Sequence, residues 1–142
     1  MEVLDRELKL HLEKPLTSVK SIFEELVREE GLKEANLVLW VPHEVSSLVQ
    51  IGWEDGLMED LEDFLEDSVP KNKWVKHDEP DTPFRHNFFE HMRSKLAGSV
   101  SLTIMVKDGR LCLGKYQDIY FYSPVYKHIP EQKILCRIMK FE

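Results

Sequence analysis

Val100-Ser101-Leu102-Thr103-Ile104-Met105-Val106-Lys107-Asp108-Gly109-Arg110-Leu111-Cys112-Leu113 holds two apolar runs on either side of Asp108-Gly109. Asp-Gly between such runs marks a tight β-hairpin, because both residues tolerate the positive φ that the turn demands. Two more strand-like runs follow, Tyr116 to Tyr122 and Ile134 to Phe141, so the chain from Val100 onward is all strand. Hairpin-length connections cannot join parallel neighbours, and the pairing is therefore expected to be antiparallel.

Working upstream, Asn87 to Leu96 has helical spacing and stops at Gly98. The opening segment alternates, with Leu8, Leu10 and Leu12 on one side and Glu7, Lys9, His11 and Glu13 on the other. That period of two predicts a half-buried strand, which Pro15 ends. Thr17 or Ser18 is placed to cap a helix that buries Val19, Ile22, Phe23, Leu26 and Val27 and stops at Gly31. Leu37 to Val41 and Val45 to Ile51 read as strands flanking Pro42-His43-Glu44. From Gly56 to Asp67 a helix is expected to bury Leu57, Leu61, Phe64 and Leu65. Its other face carries Glu59, Asp60, Glu62, Asp63, Glu66 and Asp67 without the glycine-centred ligand loop of a calcium site, and reads as a solvated face. The sum, about seven strands and three helices, is an α+β, antiparallel-rich, sandwich-like domain spanning residues 1–142.

Composition narrows the function. A length of 142 residues with 42% hydrophobic content supports one buried core. The net charge of −7 speaks against general nucleic-acid binding, which needs a basic field. No run is long enough to span a membrane, and Met1-Glu2-Val3-Leu4-Asp5 lacks the basic start of a signal peptide, so a cytoplasmic location is expected. Cys112 and Cys136 sit singly in apolar runs and read as small sheet or core residues. Ser68 to His86 carries three prolines and no apolar period, a loop of the length that is often functional.

Three blocks resemble the YjbQ-like family, whose members are often labelled secondary thiamine-phosphate synthases. The first runs from Val41-Pro42-His43 through Ser46-Ser47-Leu48 to Gly56-Leu57-Met58-Glu59-Asp60-Leu61. The second joins Trp74-Val75-Lys76-His77-Asp78 to Asn87-Phe88-Phe89-Glu90-His91-Met92-Arg93-Ser94. The third links Gly98-Ser99-Val100-Ser101-Leu102 to Asp108-Gly109-Arg110-Leu111-Cys112-Leu113-Gly114-Lys115-Tyr116-Gln117. The resemblance implies a YjbQ-like fold, a homotrimer, and a metal held by His43, His77 and His91. Two departures stand out: Glu44 follows the first histidine where the family usually has Thr or Ser, and Ile51-Gly52 stands where an Asn-Glu or Gln-Glu pair is usual.

Three neutral imidazoles with an open fourth position suit a divalent ion, zinc above all, and a metal-dependent enzyme follows. The resemblance implies thiamine-phosphate synthesis as its chemistry, while a three-histidine site by itself suits hydrolysis of a small phosphorylated substrate. Asp60, Glu54 and Arg93 are the candidate catalytic groups, and Glu44, Glu54 or Asp60 would stand in for the missing glutamate. Asn87, Arg93, Ser94, Ser99 and Gln117 are the candidate substrate binders. The bland alternative makes the histidines caps or loop hydrogen-bonders, Asn87 a helix cap and Gln117 an outward sheet residue, with His86 at the surface. A second functional class is a non-catalytic oligomer that binds a metal or small anion in a decayed site. Tyr116, Tyr120 and Tyr122 share one face of their strand and Ile119 and Phe121 the other, so both faces must be covered. The tyrosine side suits a subunit boundary.

Overall fold

The computed structural model describes residues 1–78 and 85–141. Pro80 and Pro83 of the long loop fall outside the described residues. Two antiparallel sheets and three helices form the α+β architecture. The larger sheet runs β1 (Glu2–His11), β8 (Glu131–Lys140), β3 (Ala35–Trp40), β5 (Ser101–Lys107) and β6 (Arg110–Leu111). The smaller runs β2 (Leu16–Ser18), β7 (Gln117–Tyr122) and β4 (Ser47–Gly52). Asp108 (φ 51°) and Gly109 (φ 76°) make the tight β5–β6 turn as the sequence predicts.

Alternation sets the register. Leu10, Leu37, Leu39, Ile104, Ile134, Cys136 and Ile138 from the large sheet meet Leu48, Ile119 and Phe121 from the small one in the main core. Helix α1 (Lys20–Glu29) adds Phe23, Leu26 and Val27 to that core and ends before Gly31, whose φ is +60°. Its start differs from expectation. Residues 16–18 pair with β7 as a strand, Val19 takes the N-cap position, and the Ser18 hydroxyl donates to the buried Asp118 carboxylate at 2.9 and 3.0 Å. Sheet pairing claims the hydroxyl residues that local pattern assigned to a cap.

Helices α2 (Leu57–Ser68) and α3 (Phe88–Ala97) cover the other face of the small sheet. Tyr120 and Tyr122 pack there with Leu16, Val49 and Leu65, closed over by Met58, Leu61 and Ala97. The tyrosine face is therefore covered within the chain, and Tyr116, which precedes β7, instead sets its ring 5.6 Å from Trp53 at the surface. Phe64, expected inside, is 55% exposed, while its neighbour Leu65 is 1% exposed. The helix is rotated so that one narrow stripe touches the sheet. Cys136 is buried, its thiol pushed up to about 12 by loss of water, and Cys112 is exposed; both are free thiols.

Candidate functional site

His43 lies in the β3–β4 connection, half-buried. Its Nε2 accepts the backbone N–H of Lys133 at 3.0 Å. Beneath it runs a buried polar chain. Ser46 donates to Gln132 Oε1, and Gln132 Nε2 donates to Ser123 Oγ and to the Ile129 carbonyl, both at 2.9 Å. Gln132 shares the inward face of β8 with Ile134, Cys136 and Ile138. Burying an amide there is affordable only because its partners are supplied. The chain holds the start of β8, Glu131 to Lys133, in place, and so fixes the donor that orients His43. A pocket of about 220 Å³ opens here, lined by His43, Glu44, Ser46, Gln132 and His86.

The second half of the site is carried by α3. Asn87 and Glu90 form a capping box, with the Asn87 N–H donating to Glu90 Oε1 at 2.8 Å. The Phe88 N–H donates to Asp78 Oδ1 at 2.8 Å, which pins the His77 loop to the start of the helix. One turn into α3, the His91 ring centroid is 5.3 Å from that of His77 and 6.2 Å from that of His86. Lys95 Nζ donates to the Glu44 carbonyl at 3.0 Å, which ties α3 to the His43 loop. Four histidines thus occupy one end of the fold, and His86, read from sequence as a surface group, is among them.

Burial is the main force holding the His91 imidazole below its ordinary range, and the neighbouring His77 adds to it, while Glu44 acts the other way. Burial likewise depresses His43, helped by the Lys133 charge. Both rings are neutral near pH 7. A neutral ring that accepts at one nitrogen carries its proton on the other. His43, accepting at Nε2, presents an Nδ1–H. Arg85 Nη2 sits 3.2 Å from His77 Nδ1 and donates to the His77 carbonyl at 2.9 Å, so His77 presents an Nε2–H.

The other predicted residues go elsewhere. Arg93 donates from Nε to the Val69 carbonyl at 3.1 Å and stacks 4.7 Å from the Phe89 ring, fastening α3 to the end of α2. Ser94 is fully buried and donates to the His91 carbonyl at 2.9 Å. Ser99 pairs with Leu48 through its backbone, and its hydroxyl accepts the Ser101 N–H at 3.2 Å. Asn87 sits at the helix start, as its capping reading had it. Gln117 accepts the Gly114 N–H at 2.7 Å and pairs with Gly52, at the end of β4 away from His43. Five strand steps separate Gly52 from Ser47, about 16 Å. Glu54 follows Gly52 and is exposed, as is Asp60 in the first turn of α2. Trp74 stands beside Phe88, ring centroids 5.9 Å apart.

The placed side chains do not form a metal-ligand set. Among the described residues no three His, Cys, Asp or Glu side chains converge as a group able to hold an ion. His43 and His77 each accept a hydrogen bond at one ring nitrogen, from the Lys133 N–H and from Arg85.

Comparison with known proteins matches this fold and these blocks. Residues 6–140 match the family model described as UPF0047 protein YjbQ-like. A UPF0047 protein of Archaeoglobus fulgidus is 35% identical over 89 residues, covering 63% of this chain and 67% of that protein. A UPF0047 protein of Methanothermobacter thermautotrophicus is 29% identical over 123 residues, covering 85% and 82%. Among solved structures, a YbjQ-like protein of unknown function from Sulfolobus solfataricus superimposes with a TM-score of 0.83 at 20% identity, over 99% of each chain. A hypothetical protein from Aeropyrum pernix gives 0.75 at 27% identity over the full length of both. With the family model spanning nearly the whole chain, this protein belongs to the UPF0047 YjbQ-like family.

Proposed function

We propose that the histidine end of the fold binds a small phosphorylated molecule and serves acid–base chemistry on its phosphate oxygens. The observation that supports this most is the protonation pattern: His43 accepts from Lys133 and His77 from Arg85, leaving Nδ1–H and Nε2–H as donors. Phosphate oxygens accept such N–H groups, and Lys95 at the rim adds a cation. His91, neutral and part-buried beside His77 and His86, is the group suited to take a proton. Hydrolysis of a phosphate ester and binding alone both fit, and no feature of the described residues singles out thiamine-phosphate synthesis.

The zinc site is the second reading, favoured by one distance. Two imidazoles on a tetrahedral ion, with metal–nitrogen bonds of about 2.0–2.1 Å, stand with centroids about 5 Å apart. His77 and His91 are at 5.3 Å. Loading would require His77 to release Arg85 and, for the third predicted ligand, His43 to release Lys133.

The test is a titration of metal-free protein with inorganic phosphate, followed at the imidazole resonances by NMR. Saturable shifts at His43, His77 and His91 that His91→Gln abolishes are the expected result. No imidazole shift with phosphate, together with stoichiometric zinc uptake at the same three rings, would overturn the first reading in favour of the second.

We further place the protein in the cytoplasm, in keeping with its two free thiols and with the finding that, among the described residues, no helix is long and apolar enough to cross a membrane. A homotrimer is proposed as well. With the tyrosines covered internally, its contact would fall on the outer face of the large sheet, where Trp40 and Leu135 are exposed beside Val38. Light scattering giving a mass of 16.8 kDa would refute it.

A further inference from the structure

The largest cleft among those described on the molecule is not at the histidines. About 640 Å³ in volume, it lies between α1 and the β5–β6 hairpin. Strand β3 separates the two places. Ala35, paired with Val106 of the hairpin strand, is at the cleft end, and Trp40 is at the end that leads to His43.

The chain as a whole is acidic, with 26 carboxylate residues against 19 Lys and Arg. The cleft inverts that balance: Lys20, Arg28, Lys33 and Arg110 line it, against Glu24 as its one acid. Along β1 and β8 of the large sheet several cations have carboxylate partners, as in Arg6–Glu30, Lys133–Glu7 and Arg137–Asp5. Lys20, Arg28 and Arg110 have no ion pair among the described residues. Lys20 and Arg28 lie two helical turns apart on α1, so they share a face, and Arg110 reaches in from the hairpin turn. The floor is apolar, with buried Val27 and half-buried Leu111. Like charges gathered in excess of the one carboxylate repel, and an anion seated among them relieves that repulsion. Arg adds planar, bidentate recognition of phosphate oxygens from two separate elements.

We infer that this cleft is a second ligand site, for a small polyanion of the phosphate or pyrophosphate class with an apolar body to lie on Val27 and Leu111. The inference stands apart from the histidine pocket, sharing none of its residues.

The experiment is a backbone amide NMR titration of the whole chain with inorganic pyrophosphate at fixed ionic strength, read at Gly31 and Gly109, which line the cleft. The expected result is saturable shifts at both glycines with a midpoint at or below about 1 mM. The double variant Arg28→Gln/Arg110→Gln should raise that midpoint at least tenfold, and Arg110→Lys should raise it by less. His91→Gln should leave both curves unchanged, so failure here and failure of the phosphate reading at the histidines are separately visible. Shifts that drift without saturation, that sodium chloride reproduces, or that survive in the double variant overturn the site. If the double variant does not fold, the same comparison is made with Lys20→Gln, a change at a half-buried position in the first turn of α1 that should raise the midpoint severalfold, and an unchanged midpoint there overturns the site.

Discussion

Replacing Gly98 with alanine should damage the protein through space alone. The backbone there is extended, φ −169°, which any residue adopts. A Cβ at Gly98 would stand 2.2 Å from the Leu48 carbonyl oxygen, 2.9 Å from its carbon and 3.0 Å from Val49 Cγ2. The first two are backbone atoms of β4 and cannot swing aside. They belong to the bridge that ties the end of α3 to the sheet, with Leu48 N–H donating to Ser99 at 2.7 Å and Ser99 N–H donating back at 3.0 Å. Losing both hydrogen bonds costs about 1 kcal/mol each, and displacing packed backbone adds about 1–2 more, so the expected loss is about 3 kcal/mol. Urea unfolding should show a midpoint lower by about 1.5 M, for a slope of about 2 kcal/mol/M. The same displacement moves the helix that carries His91, so phosphate-induced imidazole shifts should weaken in any fraction that folds. A midpoint within about 0.2 M of the parent, equivalent to less than about 0.5 kcal/mol, would refute the reasoning.

Three further outcomes follow from burial and charge. Leu65→Ala should cost about 2–4 kcal/mol and Phe64→Ala less than about 1 kcal/mol, because Leu65 is 1% and Phe64 55% exposed; equal losses in urea would contradict the packing of α2. His11, hydrogen-bonded to Glu131 at the β1–β8 pair, is raised by that carboxylate above its ordinary value. A raised folded-state value gives stability that is present in full below about pH 6.5 and is lost as the pH rises through the folded value. The difference between the parent and His11→Gln should therefore shrink with rising pH, and a difference that grows would reverse the assignment. His43 and His91 are depressed instead, so the unfolded chain takes up protons first on acidification. Stability should fall as the pH drops below about 6.5, and His91→Gln should soften that fall.

Period and turn chemistry carried most of the fold. Asp108-Gly109 announced its hairpin, and alternation placed Leu10, Ile119 and Phe121 in the core as found. What sequence pattern could not supply was competition between elements. Thr17 and Ser18 fit a helix cap locally, but β7 offered them a strand partner and Asp118 a carboxylate. Phe64 and Leu65 both fit the helical stripe, yet only Leu65 is buried and Phe64 faces out. Cover for the tyrosine face came from α2 and α3, not from a neighbour.

The site was legible in part. His43, His77 and His91 were singled out by the blocks around them, and the fold brings His77 and His91 within one ring contact. His86 and Gln132 were not. Gln132 had a signal, since it falls on the inward phase of Gln132, Ile134, Cys136 and Ile138, where a polar residue needs buried partners. Glu54 and Asp60 were drawn to the site by type and place in the chain and Gln117 by the resemblance, but β4 carries them to its far end. Arg93 points to the Val69 carbonyl because two positions along a helix from His91 is nearly the opposite face.

The central claim is that the histidines present donors, which the imidazole nitrogens themselves report. A long-range proton–nitrogen spectrum of the metal-free protein near pH 7 assigns each ring's tautomer. The prediction is an Nδ1–H form for His43 and an Nε2–H form for His77, both retained and shifted when inorganic phosphate is added. An Nε2–H form for His43, with three rings converting together to a metal-bound pattern on one equivalent of zinc, would contradict it.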